Sequence, residues 1–127
     1  MEASCLFLCY PACSTCKQAR QWLEKNQISY EERNIKEANP SAAELTAWYT
    51  KAGVPLRKLF NTSGLLYKSL SLKDKLPGMS EEEQLALLAS DGMLVKRPLL
   101  ITRDRVLVGF KEAEWEKFHM CNEHSEK

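Results

Sequence analysis

The sequence predicts an α/β fold built on one mixed sheet, in the order β-α-β, a helical block, then β-β-α. Three observations carry this. "CLFLC", Cys5 to Cys9, is a continuous apolar run of the kind that parallel sheets bury on both faces. A helical pattern and a second β-rich run follow close behind it. Near the other end, "RPLLITRDRVLVGF" holds two β-rich runs about a short turn.

The elements follow in order. In the first strand, Cys5 and Cys9 read as core residues acting as small hydrophobes. From about Ser14 to Asn26 the pattern is helical, with Cys16, Ala19 and Leu23 on one face and Trp22 beside them. "ISYEERNI" reads as the second strand, which makes a compact βαβ unit with a right-handed crossover. The helical block spans about residues 41–91. Ser41 and Glu44 form a capping box ahead of Leu45, Trp48 and Tyr49, and Gly53 stands where a helix commonly ends. Pro55 opens "PLRKLF", "NTSG" interrupts, and "LLYKSL" resumes the apolar spacing. A second capping box, Ser80 with Glu83, begins "EEEQLALLAS", and Gly92 follows as a stop.

The last strands are Leu99 to Thr102 and Arg105 to Val108, a hairpin about Arg103 and Asp104 whose turn lacks the favoured glycine. "KEAEWEKF" closes as a helix with Ala113, Trp115 and Phe118 as its apolar contacts. Residues 121–127 read as a polar, frayed tail. Trp22, Trp48 and Trp115 each belong to an apolar helical pattern and read as packing residues.

The 127 residues suit one domain, 1–127, with a core that needs no disulfide staples. Net charge is +1, with acids and bases interleaved. That argues against nucleic acid or an anionic membrane surface as a main partner. No apolar run approaches the ~20 residues that span a bilayer, and the start lacks the marks of a signal peptide. The expectation is a cytoplasmic monomer without a resident cofactor.

Five cysteines, four of them crowded in the first sixteen residues, do not form a secreted disulfide framework. In a reducing compartment a close pair points to catalysis, redox sensing or metal. "YPACSTCKQARQWL" places Cys13 at a loop-to-helix junction and Cys16 one turn further in. The free N–H groups and positive dipole end of a helix N-terminus favour a thiolate, which is the nucleophilic form. Lys17 and Arg20 add positive charge nearby. Cys13 then reads as a nucleophile and Cys16 as the thiol that resolves its mixed disulfide. Two other readings stand beside it. One is a metal site, which needs further ligands; "HMCNEH", with His119, Cys121 and His124, is the other cluster. The other is that Cys16 only packs on the inner face of its helix. Pro98 opens an apolar strand, where its missing N–H is tolerated, and Arg97 alone reads as a surface charge.

Taken together, "YPACSTCKQARQWL", "KRPLLI" and "VLVGFKEAEWEKF" resemble the arsenate-reductase-related family that also contains the Spx-type redox regulators. The similarity in motif order runs from about Cys5 to Phe118. The resemblance implies a thioredoxin-like fold with an inserted helical subdomain, a cis bond at Arg97–Pro98, and Arg97 beside Cys13. Glutathione-dependent arsenate reductases of the family place their nucleophile where Cys13 stands, with serine at the position of Cys16 and arginine at that of Lys17. Of the three arginines that hold their oxyanion, Arg97 matches one, while the others fall at about Asn61 and Gly109. Lys17, Arg57 and Lys111 are the candidates to substitute, although lysine lacks the planar fork.

Spx-type regulators match better at Cys13-x-x-Cys16, where a disulfide is the switch, and act by binding RNA polymerase. Their pattern has an arginine at about Ser63. The resemblance thus implies thiol-disulfide chemistry at Cys13, Cys16 and Arg97, with Lys17, Pro98 and Asn61 around the substrate. It implies regeneration by glutathione or a thioredoxin or glutaredoxin system. Its alternatives are a regulator that binds the polymerase α subunit and an arsenate reductase proper.

Overall fold

The computed structural model describes residues 5–103 and 105–125, with side chains through residue 118. Four strands form one sheet in the order β2-β1-β3-β4: β1 Cys5–Cys9, β2 Tyr30–Asn34, β3 Leu99–Ile101 and β4 Val106–Val108. β2 runs parallel to β1, with Cys5 opposite Tyr30 and Cys9 opposite Asn34. β3 is antiparallel to both β1 and β4, so the sheet is mixed as the sequence order implied. This is the α/β, thioredoxin-like arrangement.

β1 is central and buried except at Leu6, which is why its sequence is apolar throughout. Its alternation decides the two cores. Cys5, Phe7 and Cys9 pack on one face with Cys16, Ala19, Leu23, Leu100 and Trp115. Leu8 packs on the other with Ile35, Leu45, Leu59, Leu88 and Leu99. β2 is an edge strand, and its exposed Glu31 and Glu32 suit a position that must not pair with another chain.

The crossover helix α1 (Ser14–Lys25) buries Cys16, Ala19, Trp22 and Leu23, as its spacing predicts. α2 (Ala42–Ala52) and α5 (Glu81–Ser90) both start with the capping boxes read from sequence, Ser41 with Glu44 and Ser80 with Glu83. Gly53 ends α2 at φ 65°, the left-handed position that glycine adopts at least cost. Between α2 and α5 lie a 3-10 turn at Leu56–Leu59 and two short helices, α3 (Leu65–Ser69) and α4 (Leu72–Lys75).

Gly92 does not itself cap the helix as the expected stop. α5 is followed by Asp91 in extended conformation, and Gly92 opens a 3-10 turn. Its glycine is required for close approach: a Cβ there would stand 1.8 Å from the Ile35 carbonyl oxygen. The β3–β4 connection is the expected hairpin. Without a glycine, it is held by Thr102, whose hydroxyl accepts from the Arg105 N–H at 2.9 Å, while Thr102 N–H donates to the Arg105 carbonyl at 2.8 Å. Asp104 lies outside the described residues.

α6 spans Glu112–Ser125, so the helical backbone continues through most of the segment read as a frayed tail. Trp115 anchors it. Its ring is fully buried, perpendicular to Phe110 at 4.8 Å and to Trp22 at 5.6 Å, and its indole N–H donates to the Gly109 carbonyl at 3.1 Å. Trp22 and Trp48 are buried too, as packing residues.

Candidate functional site

Cys13 is the N-cap residue of α1, in extended conformation, and its own N–H donates to the Tyr10 carbonyl at 2.9 Å. This tight turn lifts the chain from the end of β1 onto the helix and leaves the thiol half-buried. Burial works to raise the Cys13 pKa. The N–H of Cys16, the Cys16 thiol, the N–H of Thr15 and the charge of Arg97 together outweigh it, and the thiol is held below its ordinary range. That is the setting in which a cysteine is ionised and reactive.

Cys16 lies one turn further in and is fully buried. Its sulfur accepts the Tyr10 N–H at 3.4 Å. Its pKa is driven far above the thiol range, first by its hydrogen bond with Cys9 and then by burial. The pair is therefore split: the outer sulfur is held below the ordinary thiol pKa and the inner one above it.

Arg97 reaches this site because two distant segments are stitched together. Phe60 and Val95 form a β-bridge, Asn61 N–H donates to the Leu94 carbonyl at 2.8 Å, and Lys96 N–H donates to the Leu59 carbonyl at 2.7 Å. The Arg97–Pro98 bond is cis, as the resemblance implied. The Arg97 guanidinium carbon stands 5.4 Å from the Tyr10 ring centre, a cation–π contact. Its Nε and Nη1 are buried and have no hydrogen-bond partner among the described residues. A buried guanidinium with unmet donors is suited to an anion.

Cys13, Arg97 and Asn61 share a cleft of about 590 Å³, with Thr15, Ser63 and Lys96 also on its wall. The position of Gly64 there is tight, since a Cβ would meet the Asn61 side chain at 2.6 Å. Leu65, 86% exposed, stands on the cleft wall. Pro98 is buried beneath the site, and its carbonyl accepts the Gly109 N–H at 2.8 Å.

Several expected participants lie elsewhere. Lys17 is exposed and does not line the Cys13 cleft; its helical position turns it to solvent. Arg57 and Lys111 line a neighbouring cleft of about 540 Å³. Lys96, which the sequence reading passed over, borders both clefts. Arg20 serves a different cysteine from the one expected. Its Nε and Nη2 pair with the Glu32 carboxylate at 2.9 Å each, and Nη2 also reaches the Cys9 sulfur at 3.4 Å.

Cys9 is likewise more than a small hydrophobe. Although fully buried, its thiol donates to Glu32 Oε2 at 3.3 Å. Its pKa is lowered, chiefly by hydrogen bonding with Cys16 and finally by Arg20, against burial and Glu32. The contact with Glu32 was not legible in the sequence, because the parallel register of β1 and β2 brings it about. With Cys9 opposite Asn34, Glu32 falls two residues back, on the same face.

Among the described residues no three side chains of His, Cys, Asp or Glu are placed to hold a metal ion. The side chains of His119, Cys121 and His124 lie outside the description. No helix among the described residues is long and apolar enough to cross a membrane.

The chain has clear relatives. It is 53% identical over 114 residues to the uncharacterized protein YusI of Bacillus subtilis, a match covering 90% of this chain and 97% of that one. It is 30% identical over 109 residues to the global transcriptional regulator Spx of Enterococcus faecalis, covering 85% and 80%. The crystal structure of an ArsC family related protein from Bacteroides fragilis superposes with a TM-score of 0.88 at 58% identity, over 90% of this chain and 96% of that one. The ArsC family model matches residues 8–118, from the central strand through the thiols and Arg97–Pro98 to the closing helix; the chain belongs to the ArsC family.

Proposed function

We propose that the protein is a cytoplasmic thiol-disulfide oxidoreductase in which Cys13 attacks and Cys16 resolves. The observation that carries this reading is the split between the two thiols: Cys13 held low at the N-terminus of α1, Cys16 held high and buried one turn away. In the first step the Cys13 thiolate attacks one sulfur of a substrate disulfide. The Cys13–substrate bond forms, the substrate S–S bond breaks, and the departing thiolate takes a proton from water. Cys16 then attacks the Cys13 sulfur, and its proton passes to the second substrate thiolate. The second substrate thiol leaves, and a Cys13–Cys16 disulfide remains.

Two equivalents of glutathione, or a thioredoxin or glutaredoxin dithiol, restore the reduced pair. Arg97, which lines the cleft and has two buried donors without a partner among the described residues, steadies the Cys13 thiolate and receives an anionic group of the substrate. Lys96 replaces Lys17 as the second cation of the cleft, and Asn61 offers a polar wall.

The test is steady-state reduction of bis(2-hydroxyethyl) disulfide by glutathione, coupled to NADPH oxidation through glutathione reductase. Full activity in Cys13→Ser would sink the reading. Arsenate offered in place of the disulfide tests the arsenate reductase alternative. With Asn61 and Gly109 at the two further oxyanion positions and a single arginine in the cleft, slow turnover and a high KM are expected.

The relationship to Spx supports a second reading, a redox regulator that binds the α subunit of RNA polymerase. Ser63, on the cleft wall, stands where that pattern has arginine. A pull-down with the purified α subunit, with the protein reduced or oxidised, decides it; no complex in either state removes this reading.

A further inference from the structure

The chemistry just described leaves the buried Cys9 thiol unused. The Cys16 sulfur accepts the N–H of Tyr10, the residue that follows Cys9 in the chain, at 3.4 Å, and Cys9 and Cys16 are buried in one core cluster on which Cys13 packs. Cys9 is fully buried at the end of β1, yet it is not in an apolar pocket. Glu32 Oε2 accepts its proton at 3.3 Å, and Arg20 Nη2 lies 3.4 Å from its sulfur. Arg20 and Glu32 are bonded twice to each other, which fixes both against Cys9. A cysteine that merely filled space would not hold a charged pair against its sulfur.

We propose that Cys9 is a second disulfide partner of Cys16, to which oxidation captured at Cys13–Cys16 is passed inward. The proposal rests on the oxidoreductase reading, because the oxidant is the Cys13–Cys16 disulfide itself. Cys9 sulfur attacks Cys16 sulfur. The Cys9–Cys16 bond forms, the Cys13–Cys16 bond breaks, and its electron pair departs on Cys13 as a thiolate.

The Cys9 proton passes to the Glu32 carboxylate and from there to water, since the Glu32 side chain is 39% exposed. One disulfide replaces another, so no further oxidant is consumed. Arg20 steadies the charge on Cys9 as it develops. The N-terminus of α1 and Arg97 steady it on Cys13, which makes Cys13 a good leaving group. Closure brings the two inner sulfurs to about 2.05 Å. The product carries a reactive Cys13 with no resolving thiol, so it accumulates a mixed disulfide instead of turning over.

The test uses the full chain and its Cys13→Ser variant, each oxidised with diamide and quenched in denaturant with N-ethylmaleimide. Disulfides are then reduced and the released thiols labelled with iodoacetamide. Tandem mass spectrometry must place each label, because Cys5, Cys9, Cys13 and Cys16 fall in one tryptic peptide. In Cys13→Ser, acetamide on both Cys9 and Cys16 is expected. Maleimide on Cys9, whatever Cys16 carries, overturns the proposal.

In the unsubstituted chain, acetamide on Cys13 and Cys16 with a growing fraction on Cys9 is expected. Cys13 and Cys16 labelled with Cys9 wholly blocked overturns the inward transfer. Cys13 and Cys16 both blocked by maleimide overturns the oxidoreductase reading instead.

Discussion

Cys13 and Cys9 each have an arginine nearby and share Cys16 as a neighbour, but their arginines stand in opposite states. Arg20, beside Cys9, is satisfied by two bonds to Glu32, so its charge is matched within the fold. Arg97, beside Cys13, has a half-buried side chain whose Nε and Nη1 meet no partner among the described residues. The inner arginine is a structural clamp on a sulfur. The outer one keeps binding capacity unspent and faces a cleft. Burying an unpaired charge is costly unless something offsets it. Arg97 is thus where this fold carries an unmatched buried cation, and Arg20 is where its charge is matched.

The largest effect should come from removing the outer sulfur. Cys13→Ser is expected to lower disulfide-reduction turnover by on the order of a thousandfold or more in the coupled glutathione assay. Cys16→Ser should retain the first attack and stop at a mixed disulfide, seen as one added glutathione in intact mass. Rapid turnover by Cys16→Ser would place resolution on glutathione and erase the distinction between the sulfurs.

A change in the support shared by both thiols comes next. Trp115→Phe keeps most of the ring packing but strands the Gly109 carbonyl, and should cost about 1–3 kcal/mol in urea unfolding. It should move the two thiols together, not one alone.

Arg97→Gln sharpens the comparison at the outer site. The Cys13 pKa lies below the ordinary thiol value, so iodoacetamide alkylation rises with pH through a midpoint below that of a free cysteine. Loss of Arg97 should move that midpoint upward, each unit costing about tenfold in thiolate below it. Arg20→Gln should leave the Cys13 midpoint in place. Equal shifts in both variants would contradict the division between the arginines.

The smallest expected change lies away from both thiols. Glu44 completes the α2 capping box and pairs with Arg33 at 2.8 Å, joining β2 to α2. Glu44→Gln should cost about 1 kcal/mol, the partial exposure of the pair keeping it modest. Arg33 first, against burial, and then Ser41 depress the Glu44 pKa to about 2. Its contribution is therefore full above the ordinary carboxylate pKa and lost as pH falls through about 2. The gap between variant and parent in thermal unfolding should close over that range, with the Cys13 midpoint unchanged.

Local rules were legible wherever a few neighbouring residues decide the outcome. The two capping boxes, the left-handed Gly53, the buried face of α1 and the hairpin at β3–β4 all follow from spacing within one element. Gly92 shows the limit. Its sequence position resembles a helix stop, but its reason is the Ile35 carbonyl, more than fifty residues away. Lys17 and Arg20 show it again. Both follow the cysteine pair closely, yet the helix turns Lys17 to solvent and Arg20 to Glu32.

The sequence by itself determined the mixed sheet, the main helices and the placement of Cys16 one turn beyond Cys13, because each rests on periodicity, caps or one turn of helix. Only the tertiary structure decided which cation stands beside which sulfur. The Phe60–Val95 bridge carries Arg97 to Cys13, and the β1–β2 register carries Glu32 to Cys9. Sulfur chemistry responds to charges within a few ångströms, and chain distance carries no record of those once the strands have paired.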